Sequence, residues 1–199
     1  MTSNTDFWAG SFGDDYTRRN QVEVKLREPF FRDFLQSLAG TKSVCELGAN
    51  RGHNLAALSA IDPTLQLTGV EVNRTAYEEL ARISGVTAVC GSFLEYASCV
   101  PFDLVFTAGV LIHVAPEDLP AAYRKIASLS SKYVLLAEYF NPVPVEIEYR
   151  GHSGKLFKRD FGSEFLNAVK ELHPRACGFL WKRLHPAWDN LTWWLFERD

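Results

Sequence analysis

The stretch Ser43-Val-Cys-Glu-Leu-Gly-Ala-Asn-Arg-Gly-His-Asn54 decides the fold. An apolar, β-branched run ends in an acidic residue, Glu46, and the chain then turns through Gly48 and Gly52 into a helical pattern. This predicts a strand, a tight loop and the start of a helix. Glycine lets the loop backbone take conformations that a Cβ forbids and approach a ligand closely. The helix that follows turns free backbone N–H groups toward the same place.

Working outward, four more strands are expected. Leu65 to Val72 ends in Glu71, Thr87 to Gly91 runs into Ser92-Phe93, Pro101 to Gly109 carries Asp103 near its start, and Lys132 to Phe140 closes the series. Helical patterns stand between them at Asn54 to Ala60, Thr75 to Ile83 and Pro116 to Leu129, the last opened by Pro116 with Glu117 and Asp118 behind it. Alternation of this kind is the pattern of a doubly wound parallel sheet, and strands this continuously apolar need cover on both faces. The far end differs. A helix near Ser163 to His173 precedes two strand patterns, Ala176 to Leu184 and Leu191 to Glu197, joined by a turn at Pro186 and Asp189-Asn190. So short a connection makes them antiparallel. The expectation is an α/β Rossmann-like sheet of seven strands, mostly parallel, with a C-terminal antiparallel hairpin.

Bulk properties agree with one domain over residues 1–199. The 199 residues are 47% hydrophobic and no linker or repeat divides them. Residues 1–35 read as a helical lid segment and residues 141–162 as an insertion on the substrate side. No apolar run is long enough for a membrane span and the amino terminus lacks signal-peptide features, which predicts a soluble cytoplasmic protein. Cys45, Cys90, Cys99 and Cys177 show no paired spacing and are expected as buried free thiols. The five histidines have no metal-ligand spacing, so no metal is expected. A net charge of −3 disfavours nucleic acid as a partner.

The loop resembles the acidic-x-Gly-x-Gly-x-Gly pattern of S-adenosylmethionine (SAM) methyltransferases, with Glu46, Gly48 and Gly52 in place and Asn50 where the middle glycine stands. A dinucleotide fingerprint would need glycines at Asn50 and His53. More narrowly, Phe7 to Asn20, Cys45 to Leu55, Phe102 to Leu119 and Ala137 to Gly162 together resemble the pseudaminic acid biosynthesis-associated methylases, small enzymes encoded among surface-glycan genes. The resemblance covers nearly the whole chain. It implies a class I methyltransferase fold, SAM as cofactor and a small acceptor related to nonulosonic acids.

Under that resemblance the cofactor residues are Glu46, Gly48, Asn50, Gly52 and Asn54 on the first loop, Glu71 and Val72 after the second strand, Gly91, Ser92 and Phe93 after the third, and Ala108 and Gly109 after the fourth. Glu71 is placed to accept the two hydrogen bonds of a ribose diol, and it can also cap the helix opening near Asn73 or Thr75. Ser92 stands where an acidic residue often meets the adenine amino group. The lid segment offers Trp8 and Phe12 as cover, with Tyr16, Arg19 and Asn20 at the cofactor and Arg19 or Asn20 meeting its carboxylate.

His113 follows the fourth strand at the ligand edge and is the candidate general base; the plain alternative is a histidine that satisfies a local carbonyl. From Tyr149 to Arg183 eight basic residues stand against three acidic ones. Within that run Tyr149, Arg150, His152 and Lys158 are the candidate contacts to an anionic small-molecule acceptor, on a mobile loop with glycines at 151 and 154. Two other functions compete. One is a non-catalytic SAM-fold binding protein, suggested by Asn50 and Ser92. The other is methylation of RNA or of some other small molecule. Thr107-Ala-Gly-Val110 is not the Asn/Asp-Pro-Pro-aromatic string of amino-methylating DNA enzymes, and no cysteine follows a proline as cytosine-C5 chemistry needs.

Overall fold

The computed structural model describes residues 3–198. Seven strands form one sheet: β1 (Ser43–Leu47), β2 (Gln66–Glu71), β3 (Val86–Cys90), β4 (Phe102–Ala108), β5 (Ser130–Glu138), β8 (Leu172–Leu180) and β9 (Leu191–Arg198). Their order is β3-β2-β1-β4-β5-β9-β8. The first five are parallel, and β9 pairs antiparallel with both β5 and β8. Strand order reverses between β1 and β4, so a crevice opens at their carboxyl ends, where open α/β sheets place ligands.

Period-two alternation explains why the middle of β4 is apolar on both faces. Leu104 and Phe106 enter one core with Val44, Leu67, Leu135 and Leu195, while Val105 enters the other with Cys45, Val70, Val134 and Phe196. The first core is covered by α3 (Glu28–Ser37) and α4 (His53–Ile61), and the second by α6 (Leu119–Leu129) and α7 (Phe161–Ala168). Phe30, Phe31 and Phe34 give α3 its buried stripe, Leu38 extends it just past the helix end, and Pro29 lies in its first turn. Residues 28–35, expected in the lid, thus belong to a core helix.

Several expected boundaries move for identifiable reasons. Pro116 does not open a helix: α6 begins at Leu119 with Pro120 in its first turn, and Pro116 to Asp118 form the turn before it. The helix expected to reach His173 stops at Ala168, because Pro174 favours extended backbone at His173 and the chain enters β8 at Leu172. Pro174 is tolerated there since β8 is an edge strand. Only Cys45 is a buried thiol; Cys90, Cys99 and Cys177 are exposed, as the edge strands β3 and β8 leave Cys90 and Cys177 incompletely covered. No described helix is long and apolar enough to cross a membrane.

Two additions shape the crevice. The amino-terminal segment forms α1 (Asn4–Ala9), α2 (Ser11–Arg19) and a 3₁₀ turn at Val24–Leu26. The stretch expected as a mobile loop is instead a hairpin, β6 (Val145–Tyr149) with β7 (His152–Lys158). Its turn places Arg150 at φ +53° and Gly151 at φ +79°, the two left-handed residues of a type I′ connection.

Candidate active site

A cavity of about 740 Å³ fills the crevice, a volume usual for a small-molecule site. It is lined by the carboxyl ends of β1, β2 and β4, by α1 and α2, by the hairpin turn and by residues 186–189 before β9. Among the cofactor candidates, Tyr16, Arg19, Asn20, Glu46, Gly48, Asn50, Asn54, Glu71, Val72, Gly91, Ser92, Phe93, Ala108 and Gly109 all face it, as do His113, Tyr149 and Arg150. Gly52, His152 and Lys158 do not.

Each outlier has another place. Gly52 sits at φ +79° at the start of α4, and a Cβ there would come within 2.6 Å of the side chains of Ile83 and Leu80. It is a packing glycine behind the loop. His152 lies against Phe7 and Phe12, at 5.0 and 5.3 Å between ring centroids, and Lys158 Nζ lies 5.4 Å from the ring of Tyr139. Both belong to β7.

The first loop closes without its middle glycine because Asn50 itself adopts φ +47°, a conformation that asparagine tolerates better than most residues. Its amide N–H donates to Glu71 Oε2 at 2.7 Å, and the N–H of Asn73 donates to Glu71 Oε1, also at 2.7 Å. Burial raises the Glu71 pKa, while the backbone donors of Asn73, Asn50 and Val72 oppose that shift. The carboxylate is therefore fixed in orientation, with lone pairs left for a ligand. Asn73 is the N-cap of α5 (Arg74–Leu80), accepting from Ala76 N at 2.9 Å, so anchoring the loop and capping the helix fall to adjacent residues.

Glu46 heads a buried relay that the sequence did not reveal. Arg27 Nη1 donates to Asn54 Oδ1 at 2.5 Å, and Asn54 Nδ2 donates to Glu46 Oε1 at 2.6 Å. Arg27 also lies 4.2 Å from the ring of Trp188. Glu46 Oε2 has no partner and is buried, and burial pushes the Glu46 pKa up to about 8. A buried carboxylate oxygen without a donor, in a cavity wall, fits a cationic ligand group.

His113 lies on the 3₁₀ turn Leu111–His113 after β4. That turn is held from below by Glu138, wholly buried at the end of β5, which accepts from Thr107 Oγ1 at 2.9 Å, Val110 N at 3.2 Å and Ile112 N at 3.4 Å. The His113 ring lies against Trp8 and Tyr149, at 4.4 and 5.2 Å between centroids, and those two rings touch each other at 6.3 Å. Nδ1 lies 2.6 Å from the carbonyl oxygen of Lys155, which can only accept, so Nδ1 carries the proton and Nε2 carries the lone pair. Burial pushes the His113 pKa down to about 4, which keeps the ring neutral near pH 7.

The amino-terminal helices are docked by specific contacts. Asp14 accepts from Asn73 Nδ2 at 3.0 Å and Thr75 Oγ1 at 2.8 Å, tying α2 to the start of α5. Asn4 Nδ2 donates to the His113 carbonyl at 2.9 Å, and Lys155 Nζ donates to Asn4 Oδ1 at 2.5 Å. Gly13 lets α1 and α2 touch, since a Cβ there would lie 1.9 Å from the Trp8 carbonyl oxygen. Gly13→Ala is thus expected to undock α1 at a cost of about 1–3 kcal/mol. Limited proteolysis should then cut the variant ahead of α3 under conditions that leave the parent whole.

The chain's fold was compared with known structures. The magnesium protoporphyrin IX methyltransferase ChlM of Synechocystis PCC 6803, with bound SAM, superposes with a TM-score of 0.73 at 15% identity, over 100% of this chain and 99% of that one. The fold is that of the class I methyltransferases. The sugar N-methyltransferase KedS8 of Streptoalloteichus sp ATCC 53650 matches at a TM-score of 0.68 and 13% identity, over 96% of this chain and 93% of that one. The glycopeptide N-methyltransferase MtfA in complex with SAM matches at 0.66 and 12%, over 86% and 87%. No family model matches the sequence, and no curated protein does. Within this fold the antiparallel β9 is inserted between β5 and β8, and its first residue, Leu191, lines the cavity. Among the described residues no cluster of His, Cys, Asp and Glu side chains could hold a metal ion.

Proposed function

We propose that this protein is a SAM-dependent methyltransferase. The acceptor in this reading is a small anionic molecule, a sugar or nucleotide-linked sugar of surface-glycan biosynthesis of the pseudaminic acid type, methylated on oxygen or nitrogen. The observation that carries the reading is the set of groups converging on one cavity: the oriented Glu71 carboxylate, the unpartnered Glu46 Oε2 and the neutral His113 with Nδ1 committed. The acceptor class rests on the resemblance of residues 7–20 and 137–162 to the pseudaminic acid-associated methylases. Bound SAM supplies an electrophilic methyl group on a sulfonium.

The chain's own residues do the rest. Glu71 holds a ribose diol, Glu46 an ammonium, and Arg27, one residue away along the relay, a carboxylate. Gly91, Ser92 and Phe93 border the adenine end, where Ser92 Oγ already accepts from Leu94 N at 3.3 Å and adds only a neutral contact. His113 Nε2 takes the proton of the acceptor nucleophile, while Lys155, Trp8 and Tyr149 fix the ring so that the lone pair keeps one direction. The α1–α2 lid keeps water away from the reacting atoms.

Glu46 makes the cofactor step dependent on pH. Free in the protein its pKa is about 8, so near pH 7 it is mostly protonated; pairing with an ammonium requires the carboxylate. Binding should therefore release a proton, and affinity should rise as pH climbs toward about 8. Calorimetry at pH 7 in two buffers of different ionisation enthalpy should show this release in the parent and not in Glu46→Gln. The same heat in both proteins would remove Glu46 from the cofactor site. The acceptor itself is found by following S-adenosylhomocysteine (SAH) release with acidic sugars, nucleotide sugars, neutral sugars and small RNAs; turnover confined to RNA would reject the proposed acceptor class.

A further inference from the structure

The cations of the cleft divide into those already engaged and two that are not. Lys182 pairs with Asp189, and Arg27 is held by Asn54. Arg19, the last residue of α2, and Arg150, at the hairpin turn, both line the cavity and are exposed at its mouth. Neither guanidinium has an ion pair or hydrogen bond among the described residues. Aromatic rings orient both. Arg19 Cζ lies 5.2 Å from the ring of Phe12 and 5.3 Å from that of Tyr16, and Arg150 Cζ lies 6.0 Å from the ring of Tyr149. The rings of Phe12 and Tyr149 are themselves 5.8 Å apart, so one aromatic pair spaces the two guanidiniums.

For Arg19 alone a plain account exists, since a cation at a helix C-terminus is favourable. Arg150 has none. It occupies the first central position of the type I′ turn at φ +53°, where Asn, Asp or Gly is the ordinary residue. A long cationic side chain kept there against the backbone preference, aimed at a cavity mouth, points to a ligand.

We propose that Arg19 and Arg150 form a clamp for an oxyanion, a carboxylate or a phosphate, on the acceptor at the cleft mouth. The clamp rests on the methyl-transfer reading and adds to it which residues read the acceptor. It moves Arg19 from the cofactor to the acceptor, because the half-buried Arg27, linked to Glu46 through Asn54, stands at the cofactor end. It also replaces Lys158 and His152, which do not line the cavity. Tyr149 links the two ends of the acceptor site, with its ring 5.2 Å from His113 on one side and Arg150 next in the chain on the other. That spacing suits an acceptor whose nucleophile and anion lie on opposite sides of a single six-membered ring.

The test uses the SAH-loaded protein at fixed ionic strength, titrated calorimetrically with inorganic pyrophosphate and separately with malonate. Whichever probe binds more tightly identifies the anion as phosphate-like or carboxylate-like. Arg19→Ala and Arg150→Ala should each weaken it about tenfold, and the double variant roughly a hundredfold. Arg150→Gly, which the turn accepts without strain, should lose the anion as Arg150→Ala does. Lys170→Ala, an exposed change outside the cleft, should bind like the parent, and SAH affinity should stay within about twofold throughout. The clamp is overturned if the SAH-loaded parent binds neither probe or if the double variant binds as well as the parent. It is also overturned if Arg19→Ala weakens SAH itself about tenfold, which would return Arg19 to the cofactor. Failure of the parent to bind SAH would instead bring down the methyl-transfer reading.

Discussion

His113→Ala is expected to slow methyl transfer by about 10²–10⁴-fold while leaving cofactor affinity nearly unchanged. The asymmetry follows from position: the ring reaches the cavity from the turn after β4, away from Glu46 and Glu71 at the ends of β1 and β2. A general base works only in its neutral form, and burial pushes the His113 pKa down to about 4. The parent's rate should therefore climb as pH rises through about 4 and level off above it. The variant should lack that limb. A histidine that merely packs against Trp8 and Tyr149 would affect stability and leave the pH–rate profile unchanged in shape. Rates measured from pH 3.5 to 8 under saturating SAM separate the two, since saturation removes the dependence of binding on Glu46.

The second large effect is expected on binding. Glu71→Ala removes charge-assisted hydrogen bonds worth about 1.5–3 kcal/mol and should weaken SAM about 10- to 100-fold. In this chain the loss has two sources. Glu71 also receives the N–H groups of Asn50 and Asn73, so the substitution frees the glycine loop and the entry to α5 together. Glu71→Gln separates them. The amide keeps the shape and one acceptor oxygen but turns an N–H₂ toward a backbone donor, so it should lose affinity too, by a smaller factor. Thermal unfolding of the unliganded variants reports the loop contribution, and calorimetry with SAM reports the sum. Full affinity in Glu71→Ala would remove this residue from the cofactor site.

The carboxyl-edge array was legible because parallel strands end in register. Glu46 and Glu71 each close an apolar run, and a sheet of this type brings such endings to one edge whatever lies between them. The antiparallel finish was legible from the short connection before Leu191. What escaped notice depends on contacts between segments far apart in sequence. Arg27 reads as one of several basic residues in a polar stretch, and only folding sets it against Asn54 and Trp188. Glu138 is an acidic residue inside an apolar strand, a signal available in advance, because a carboxylate there must find donors or neutralise. The hairpin was also available. Val145, Ile147 and Tyr149 alternate with Glu146 and Glu148 ahead of Arg150-Gly151, and Gly151 serves the turn of the hairpin, not a mobile loop. Gly52 shows the opposite error, since a glycine in a ligand loop need not touch the ligand. Its Cβ is excluded by Leu80 and Ile83 from behind.

Calorimetric titration of the purified protein with SAH is the most direct measurement of the central claim, that the edge formed by β1, β2 and β4 holds this cofactor. The account predicts saturable one-to-one binding that is weakened about 10- to 100-fold by Glu71→Ala and left within about twofold by His113→Ala. Absence of binding to the folded parent, or equal binding by parent and Glu71→Ala, would contradict it.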